Sequence, residues 1–215
     1  VLYIVGVGPG DKELLTLKAV KILQRADVVA YGDLVPEEVV EEFAPQAERV
    51  KIGHRHKDHD EVVARLLEVA REKNVVLLKN GDPTVFGRAH QICRMARAAG
   101  VPCEIVPGVS SFTAASALGG VELTDGVALR HVALLSYPHV DEEVLKSVRA
   151  DVYVIFMMGD RLSQVAELVK KVCGKAVEVY VCSRISLGGT CLPLEKVEKV
   201  EKPLLVIVRK CWSPP

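Results

Sequence analysis

Two glycine-built turns, each closing an apolar run, constrain this chain more than any other feature in it. The first reads Val5-Gly6-Val7-Gly8-Pro9-Gly10-Asp11, and the second Lys79-Asn80-Gly81-Asp82-Pro83-Thr84-Val85-Phe86-Gly87-Arg88. Each has the form of a buried strand that ends in a tight loop and opens a helix. In parallel α/β sheets ligands sit at those carboxyl ends, so two such loops point to one shared cleft. Neither loop carries a phosphate-binding pattern. In the first, the third glycine comes one residue early for a dinucleotide fingerprint, Pro9 removes a backbone donor, and Asp11 repels a pyrophosphate. Nothing in the chain matches a P-loop.

The bulk composition agrees with a layered α/β chain. Of 215 residues, 49% are hydrophobic and only 5% aromatic. That apolar mass, mostly Val, Leu, Ala and Ile, suits buried parallel strands flanked by helices. The 28 basic residues are balanced by 28 acidic ones, which disfavours a general nucleic-acid-binding surface. No apolar stretch reaches membrane-spanning length, and the opening run lacks a basic leader, so a soluble cytoplasmic protein is expected. Six cysteines (Cys93, Cys103, Cys173, Cys182, Cys191 and Cys211) form no C-x-x-C pair, which argues against a zinc ribbon. Their scatter among apolar residues reads as buried free thiols, with disulfides as the alternative.

Hydrophobic periodicity predicts strands over 2–7, 27–31, 49–52, 75–78 and 102–106. Helices are predicted over 12–25, 36–43, 60–73 and 91–99, with 54–60 a polar loop. Beyond that, helices are expected at 110–118, 142–148 and 162–172, and strands at 127–136, 152–157 and 176–181. A hairpin is expected from 192–200 and 203–210. The fold class is therefore α/β, with an N-terminal α/β domain over 1–109 and a C-terminal α/β domain over 110–215. Asp82 either accepts hydrogen bonds from a ligand or caps a helix. Arg88 either grips a carboxylate with two parallel hydrogen bonds or is simply solvated.

The stretch from Val5 to Ala19 resembles the opening signature of the tetrapyrrole methylase family. Ala26-Asp27-Val28-Val29-Ala30-Tyr31, Gly81-Asp82-Pro83-Thr84-Val85-Phe86-Gly87-Arg88 and Val106-Pro107-Gly108-Val109-Ser110-Ser111 resemble its next three motifs, and Phe156-Met157-Met158-Gly159 a fifth. The resemblance implies two α/β domains with S-adenosylmethionine in a cleft between them, usually in a homodimer. It implies that the sulfonium methyl passes to a carbon of a cyclic tetrapyrrole. By the same resemblance the methyl donor touches Pro9, Asn80, Gly81, Asp82, Val85, Ser110, Ser111 and Met158. Cys182, Pro203 and Leu204 line its adenine side. Gly8, Asp11, His54, Arg55 and Arg88 meet the substrate. Arg88 is the catalytic candidate, holding a substrate carboxylate and assisting proton removal, although its high pKa makes it a poor base. No metal, membrane or nucleic-acid partner is implied.

Phe86-Gly87-Arg88 and Leu123-Thr124 resemble uroporphyrinogen-III C-methyltransferases, which make precorrin-2 on the way to sirohaem and cobalamin. Leu34-Val35-Pro36-Glu37-Glu38 and the segment from Pro107 to Phe112 are similar to precorrin-4 carbon-11 methyltransferases. Tyr31-Gly32-Asp33, Gly53-His54 and Ser136-Tyr137-Pro138-His139 depart from the first subgroup, which bears on substrate more than on methyl donor. The competing readings are a diphthine synthase, which methylates a protein histidine derivative; a member of a related group that methylates ribosomal RNA; and a non-catalytic donor-binding regulator.

His54, His56 and His59 lie among Arg55, Lys57 and Asp58. A metal centre needs converging neutral imidazoles, and the flanking cations oppose it. The remaining readings are a solvated loop and a basic rim that meets substrate carboxylates. On the rim reading, replacing Arg55 and Lys57 with Ala weakens tetrapyrrole binding and leaves methyl-donor binding unchanged in parallel titrations; equal loss of both counts against it.

Overall fold

The computed structural model describes residues 1–52, 56–174 and 176–212, apart from the side chains of 56–58. The chain divides into two compact units, Val1–Ser111 and Phe112–Pro215. His54 and Arg55, and with them the histidine trio as a set, lie outside the described residues.

Unit 1 runs β1 (Leu2–Gly6), α1 (Leu17–Leu23), β2 (Val28–Tyr31), α2 (Glu37–Phe43), β3 (Glu48–Lys51), α3 (His56–Val69), β4 (Val75–Lys79), α4 (Ala89–Ala98) and β5 (Cys103–Val106). Its five strands are all parallel, in the order β3-β2-β4-β1-β5. Strand alternation sorts the side chains onto two faces. Leu2, Ile4, Val75 and Leu77 pack with Val63, Leu66, Leu67, Ile92 and Ala96 from α3 and α4. Val5, Val7, Val76 and Leu78 pack with Ala19, Ile22, Leu23, Val39 and Val40 from α1 and α2. Both faces are covered, which is why β1, β2 and β4 are apolar at nearly every position, while the edge strand β3 is largely exposed.

Two helix starts differ from expectation. The helix expected from residue 12 begins at Leu17, because the Thr16 hydroxyl accepts the Ala19 N–H at 3.1 Å and fixes a new N-cap. Before it lies a single 3₁₀ turn at Lys12–Leu14, capped by the Asp11 carboxylate on Glu13 N–H at 2.9 Å. The polar loop expected over 54–60 is helical from His56 onward. Its first turn carries no apolar residue, so periodicity could not register it.

Unit 2 opens with α5 (Ser111–Gly119), whose first residue is the last of unit 1. It comprises β6 (Val132–Ser136), α6 (Glu142–Ser147), β7 (Val152–Phe156), α7 (Leu162–Val172), β8 (Glu178–Ser183), β9 (Cys191–Pro193) and β10 (Leu204–Arg209). The sheet order is β6-β7-β10-β8-β9. The expected hairpin between the last two strands is therefore corrected: β10 pairs antiparallel with β7 and β8, and the short β9 pairs with β8. Leu205, Val206, Ile207 and Val208 are all at most 3% exposed, and such a strand belongs at the centre of a sheet. The charged run 195–202 cannot serve there. The strand expected over 127–136 begins only at Val132. Ahead of it the Asp125 carboxylate accepts the N–H groups of Val127, Ala128 and Leu129, and Asp151 accepts those of Arg130 and His131. These bonds hold both carboxyls below the usual range.

The reading of free thiols is also corrected. All six cysteines are paired, as Cys93–Cys103, Cys173–Cys211 and Cys182–Cys191. The first ties α4 to β5, the second ties the end of α7 to the residue after β10, and the third crosslinks β8 and β9 at the register pair Cys182↔Cys191. Loop-closure entropy scales with the residues enclosed. The 38-residue separation of Cys173–Cys211 corresponds to about 4 kcal/mol, and separations near ten to about 3 kcal/mol. Replacing Cys173 and Cys211 together by Ser is expected to lower stability more than replacing Cys182 and Cys191, read from urea unfolding followed by Trp212 fluorescence. The reverse order would show that native-state packing outweighs chain entropy.

Candidate functional site

The two glycine turns are joined to each other. Gly8 N–H donates to Gly81 O at 3.2 Å and Gly81 N–H to Gly8 O at 2.7 Å, a reciprocal bridge just past the ends of β1 and β4. The connection from β1 leads toward β2 on one side of the sheet order, whereas that from β4 passes to β5 on the other. The bridge thus marks the topological switch point, where open α/β sheets bind ligands. Both residues have positive φ, +74° and +67°.

A third loop locks into the same corner. A Cβ on Gly6 would lie 2.6 Å from Gly81 O and 2.7 Å from Gly108 N, and one on Gly108 would overlap Gly81 O outright. The backbones of three loops therefore approach closely only because these positions lack side chains. The Asp82 carboxylate completes the lock. One oxygen accepts Thr84 N–H at 2.7 Å and the Thr84 hydroxyl; the other accepts Gly108 N–H at 3.1 Å. Asp82 does not cap α4, whose N-cap is Arg88; its carboxylate clamps two loops together. Gly6 and Gly108 were not singled out as site residues, although each stands in an apolar-Gly turn of the kind that revealed Gly8.

The corner brings together most of the expected unit 1 residues. Pro9 is buried beside Gly8, Ser110 is 9% exposed, and Val85 N–H donates to Asp82 O at 3.2 Å. An added Cβ at Gly81 would touch Ser111 N at 3.6 Å and Ser110 Cα at 3.8 Å, ordinary contact distances. Asn80 carries a buried side-chain oxygen that accepts no hydrogen bond among the described residues. Asp11 is engaged in its own cap.

Arg88 starts α4 with a left-handed backbone, φ +61°. Its Nε donates to Gln91 Oε1 and its Nη2 to Asp60 Oδ1, both at 2.9 Å. The side chain is 29% exposed, so a partly covered, oriented guanidinium replaces the solvated one. Beside it lies Lys79, whose Nζ sits 2.9 Å from His59 Nε2. Burial, followed by the neighbouring charge of Arg88, pushes the Lys79 amine down to about 8. Sequence alone gave no sign of this pair. A concavity of about 300 Å³ opens at the end of β2, lined by Tyr31, Asp33, Glu37 and Lys51 among others. The Tyr31 hydroxyl donates to Glu37 at 3.0 Å. Burial, with Glu37 second, raises the phenol, and the same bond lowers the Glu37 carboxyl.

The expected unit 2 residues fall into two places. Cys182, Pro203 and Leu204 come together across β8 and β10, in the register Leu204↔Ser183 and Leu205↔Cys182, with Pro203 O accepting Arg184 N–H at 2.8 Å. Cys182 is spent in its disulfide. Met158 is 1% exposed and packs in the unit 2 core, while Met157 before it is 64% exposed with φ +60°. Among the described residues no group of His, Cys, Asp and Glu is arranged to hold a metal ion, and no helix is long and apolar enough to cross a membrane.

The Lys79 burial has a measurable consequence. The native state sheds this proton at about pH 8 and the unfolded chain at about 10.4. Between those values the unfolded state binds more protons, so native stability rises with pH. Relative to Lys79→Met, the protein is expected to gain unfolding free energy from pH 8 to 10.5 in urea melts; parallel curves would refute the buried ammonium.

A family model described as Tetrapyrrole (Corrin/Porphyrin) Methylases matches residues 1–190. A siroheme synthase of Pseudomonas entomophila (strain L48) is 41% identical over 128 residues, covering 57% of this chain and 28% of the relative. The chain thus matches little more than a quarter of that relative's length. Among solved structures, the uroporphyrin-III C-methyltransferase from Thermus thermophilus is 33% identical, with TM-score 0.79, 98% of this chain and 92% of that chain covered. The same enzyme is also known complexed with S-adenyl homocysteine. A cobalt precorrin-4 methyltransferase is 28% identical with TM-score 0.83, covering 99% and 96%.

Proposed function

We propose that this chain, which belongs to the tetrapyrrole (corrin/porphyrin) methylases, transfers a methyl group from S-adenosylmethionine to a ring carbon of a cyclic tetrapyrrole, uroporphyrinogen III being the first candidate. The observation that carries this reading is the Gly8–Gly81 bridge with Gly108 locked into it at the switch point. The solved neighbour with S-adenyl homocysteine supports the choice of donor.

The corner suits that ligand chemically. A sulfonium donor with an α-ammonium group is rich in positive charge and hydrogen-bond donors. The corner answers with carbonyl oxygens and the unpartnered Asn80 Oδ1. Asn80, Gly81, Ser110 and Ser111 are the residues assigned to hold it, with Asp82 fixing their loops. Pro9, Val85 and Met158 stand in the same assignment, and Cys182, Pro203 and Leu204 on the adenine side. When bound, the donor supplies an already electrophilic methyl group, so the protein's main task is to hold the ring carbon in line. Arg88, oriented by Gln91 and Asp60, presents its remaining N–H groups to a substrate carboxylate. Gly8, Asp11, His54 and Arg55 complete the substrate side of the assignment. A homodimer working in the cytoplasm belongs to the same reading; internal disulfides in such a compartment are a known feature of hyperthermophile proteins.

One observation favours a second substrate. The TM-score of 0.83 to the cobalt precorrin-4 methyltransferase accompanies the local likeness at Leu34-Val35-Pro36-Glu37-Glu38. Incubation with labelled S-adenosylmethionine and a panel of uroporphyrinogen III and later corrinoid intermediates, read by mass, separates the two. The expected product is doubly methylated uroporphyrinogen III. Donor binding by calorimetry without methylation of any macrocycle would instead identify a regulator.

A further inference from the structure

Deprotonation of the methylated macrocycle needs a group that Arg88 does not supply, because a guanidinium gives up no proton near neutral pH. Lys79 closes β4 and enters the glycine corner directly: its carbonyl accepts Val7 N–H at 2.9 Å, and Asn80 and Gly81 follow it. Strand alternation puts its side chain on the face of Val75 and Leu77, toward α3 and α4. Among the described residues the titratable groups nearest it are His59 and Asp60 from α3 and Arg88 at the start of α4; on β1 its register partner is Gly6, which carries no side chain, and β2 pairs with β4 only as far as Leu77. Among the described residues no carboxylate forms an ion pair with Lys79. Asp60 is turned to Arg88 at 2.9 Å and lies 3.8 Å from His59 Nδ1. A lysine Nζ 2.9 Å from an imidazole nitrogen requires that one of the two hold a lone pair, since an ammonium and an imidazolium would only repel.

We infer that Lys79, backed by His59, is the base that accepts the proton lost by the methylated macrocycle. This rests on the methyltransferase reading above. As the ring carbon bonds to the methyl group, the methyl–sulfur bond breaks, its electron pair stays on sulfur, and the ring gains one positive charge. A ring proton then passes to the neutral Lys79 amine, which becomes an ammonium. The two electrons of the broken bond to hydrogen return to the ring. His59 Nε2 accepts a hydrogen bond from that ammonium, and the partly exposed ammonium releases its proton to solvent before the next turnover. Burial first, and the charge of Arg88 second, disfavour a resting charge on Lys79, whose amine is depressed to about 8; Arg88 holds the substrate.

Two measurements test this. In protein labelled with ¹³C-lysine, one Cε resonance, absent from Lys79→Met, is expected to titrate near pH 8; a Lys79 signal titrating above pH 10 overturns the inference. With saturating donor and macrocycle, the rate of methyl transfer is expected to rise with pH through a limb near 8. Lys79→Met is expected to lose that limb and at least about 100-fold in rate, with S-adenyl homocysteine affinity unchanged. A variant that binds S-adenyl homocysteine and keeps both rate and limb defeats the assignment of Lys79 while leaving the function intact. Should Lys79→Met fail to fold, the wild-type profile decides, because a flat rate from pH 7 to 9 is equally fatal. Absence of methyl transfer by the wild-type protein to any macrocycle takes down the function and this inference together.

Discussion

Two peptide groups facing each other across the ends of neighbouring parallel strands hold the candidate site together. Parallel β1 and β4 exchange slanted hydrogen bonds along their length, and the ladder would ordinarily end where the chains diverge. Here Gly8 and Gly81 exchange one further reciprocal pair beyond the strands. Left-handed backbone at both residues makes this possible, and side chains rarely tolerate that conformation. Gly6 and Gly108 then permit a third chain segment to approach. The carbonyls, the Asn80 side chain and the Asp82 clamp all take their positions from this knot.

The electrostatics of unit 1 follow from the same geometry. Because the sheet is covered on both faces, a lysine at the end of β4 is pressed against helices and only partly exposed. Arg88 at the neighbouring helix start adds like charge. The protein offsets the arginine with Asp60 and leaves the lysine with an imidazole. One cation is therefore paired and oriented, and the other gives up its proton more readily than a free lysine does. That division of roles arises from which residue of α3 faces which partner.

Much of this was legible in the sequence. Gly8 and Gly81 stood out because a tight glycine turn directly after an apolar run is the mark of a buried strand's carboxyl end. The layered α/β class followed from strands that are apolar on both faces. The ordered motifs were enough to indicate the family. What stayed hidden depended on contacts distant in sequence. No spacing rule pairs Cys173 with Cys211, and six cysteines admit many pairings. His59 lay in a stretch too polar to register as helix, so its meeting with Lys79 could not be foreseen. Asp82 reads as a cap or a ligand from its neighbours, and only the fold shows Gly108 as its partner. Thr16 and Asp125 were passed over because a cap is recognised by the N–H groups it satisfies, which sequence does not display.

The position of β10 has an implication for how unit 2 assembles. The last strand in chain order occupies the middle of its sheet, with β6 and β7 on one flank and β8 and β9 on the other. Until residues 204–209 arrive, the two flanks have no hydrogen-bonding surface in common. The apolar edges of β7 and β8 must wait uncovered during synthesis, and the sheet closes by inserting a latecomer into its own centre. Long-range pairing of that kind is slow to form, and the linkage of Cys173 to Cys211 secures the latecomer once it is seated.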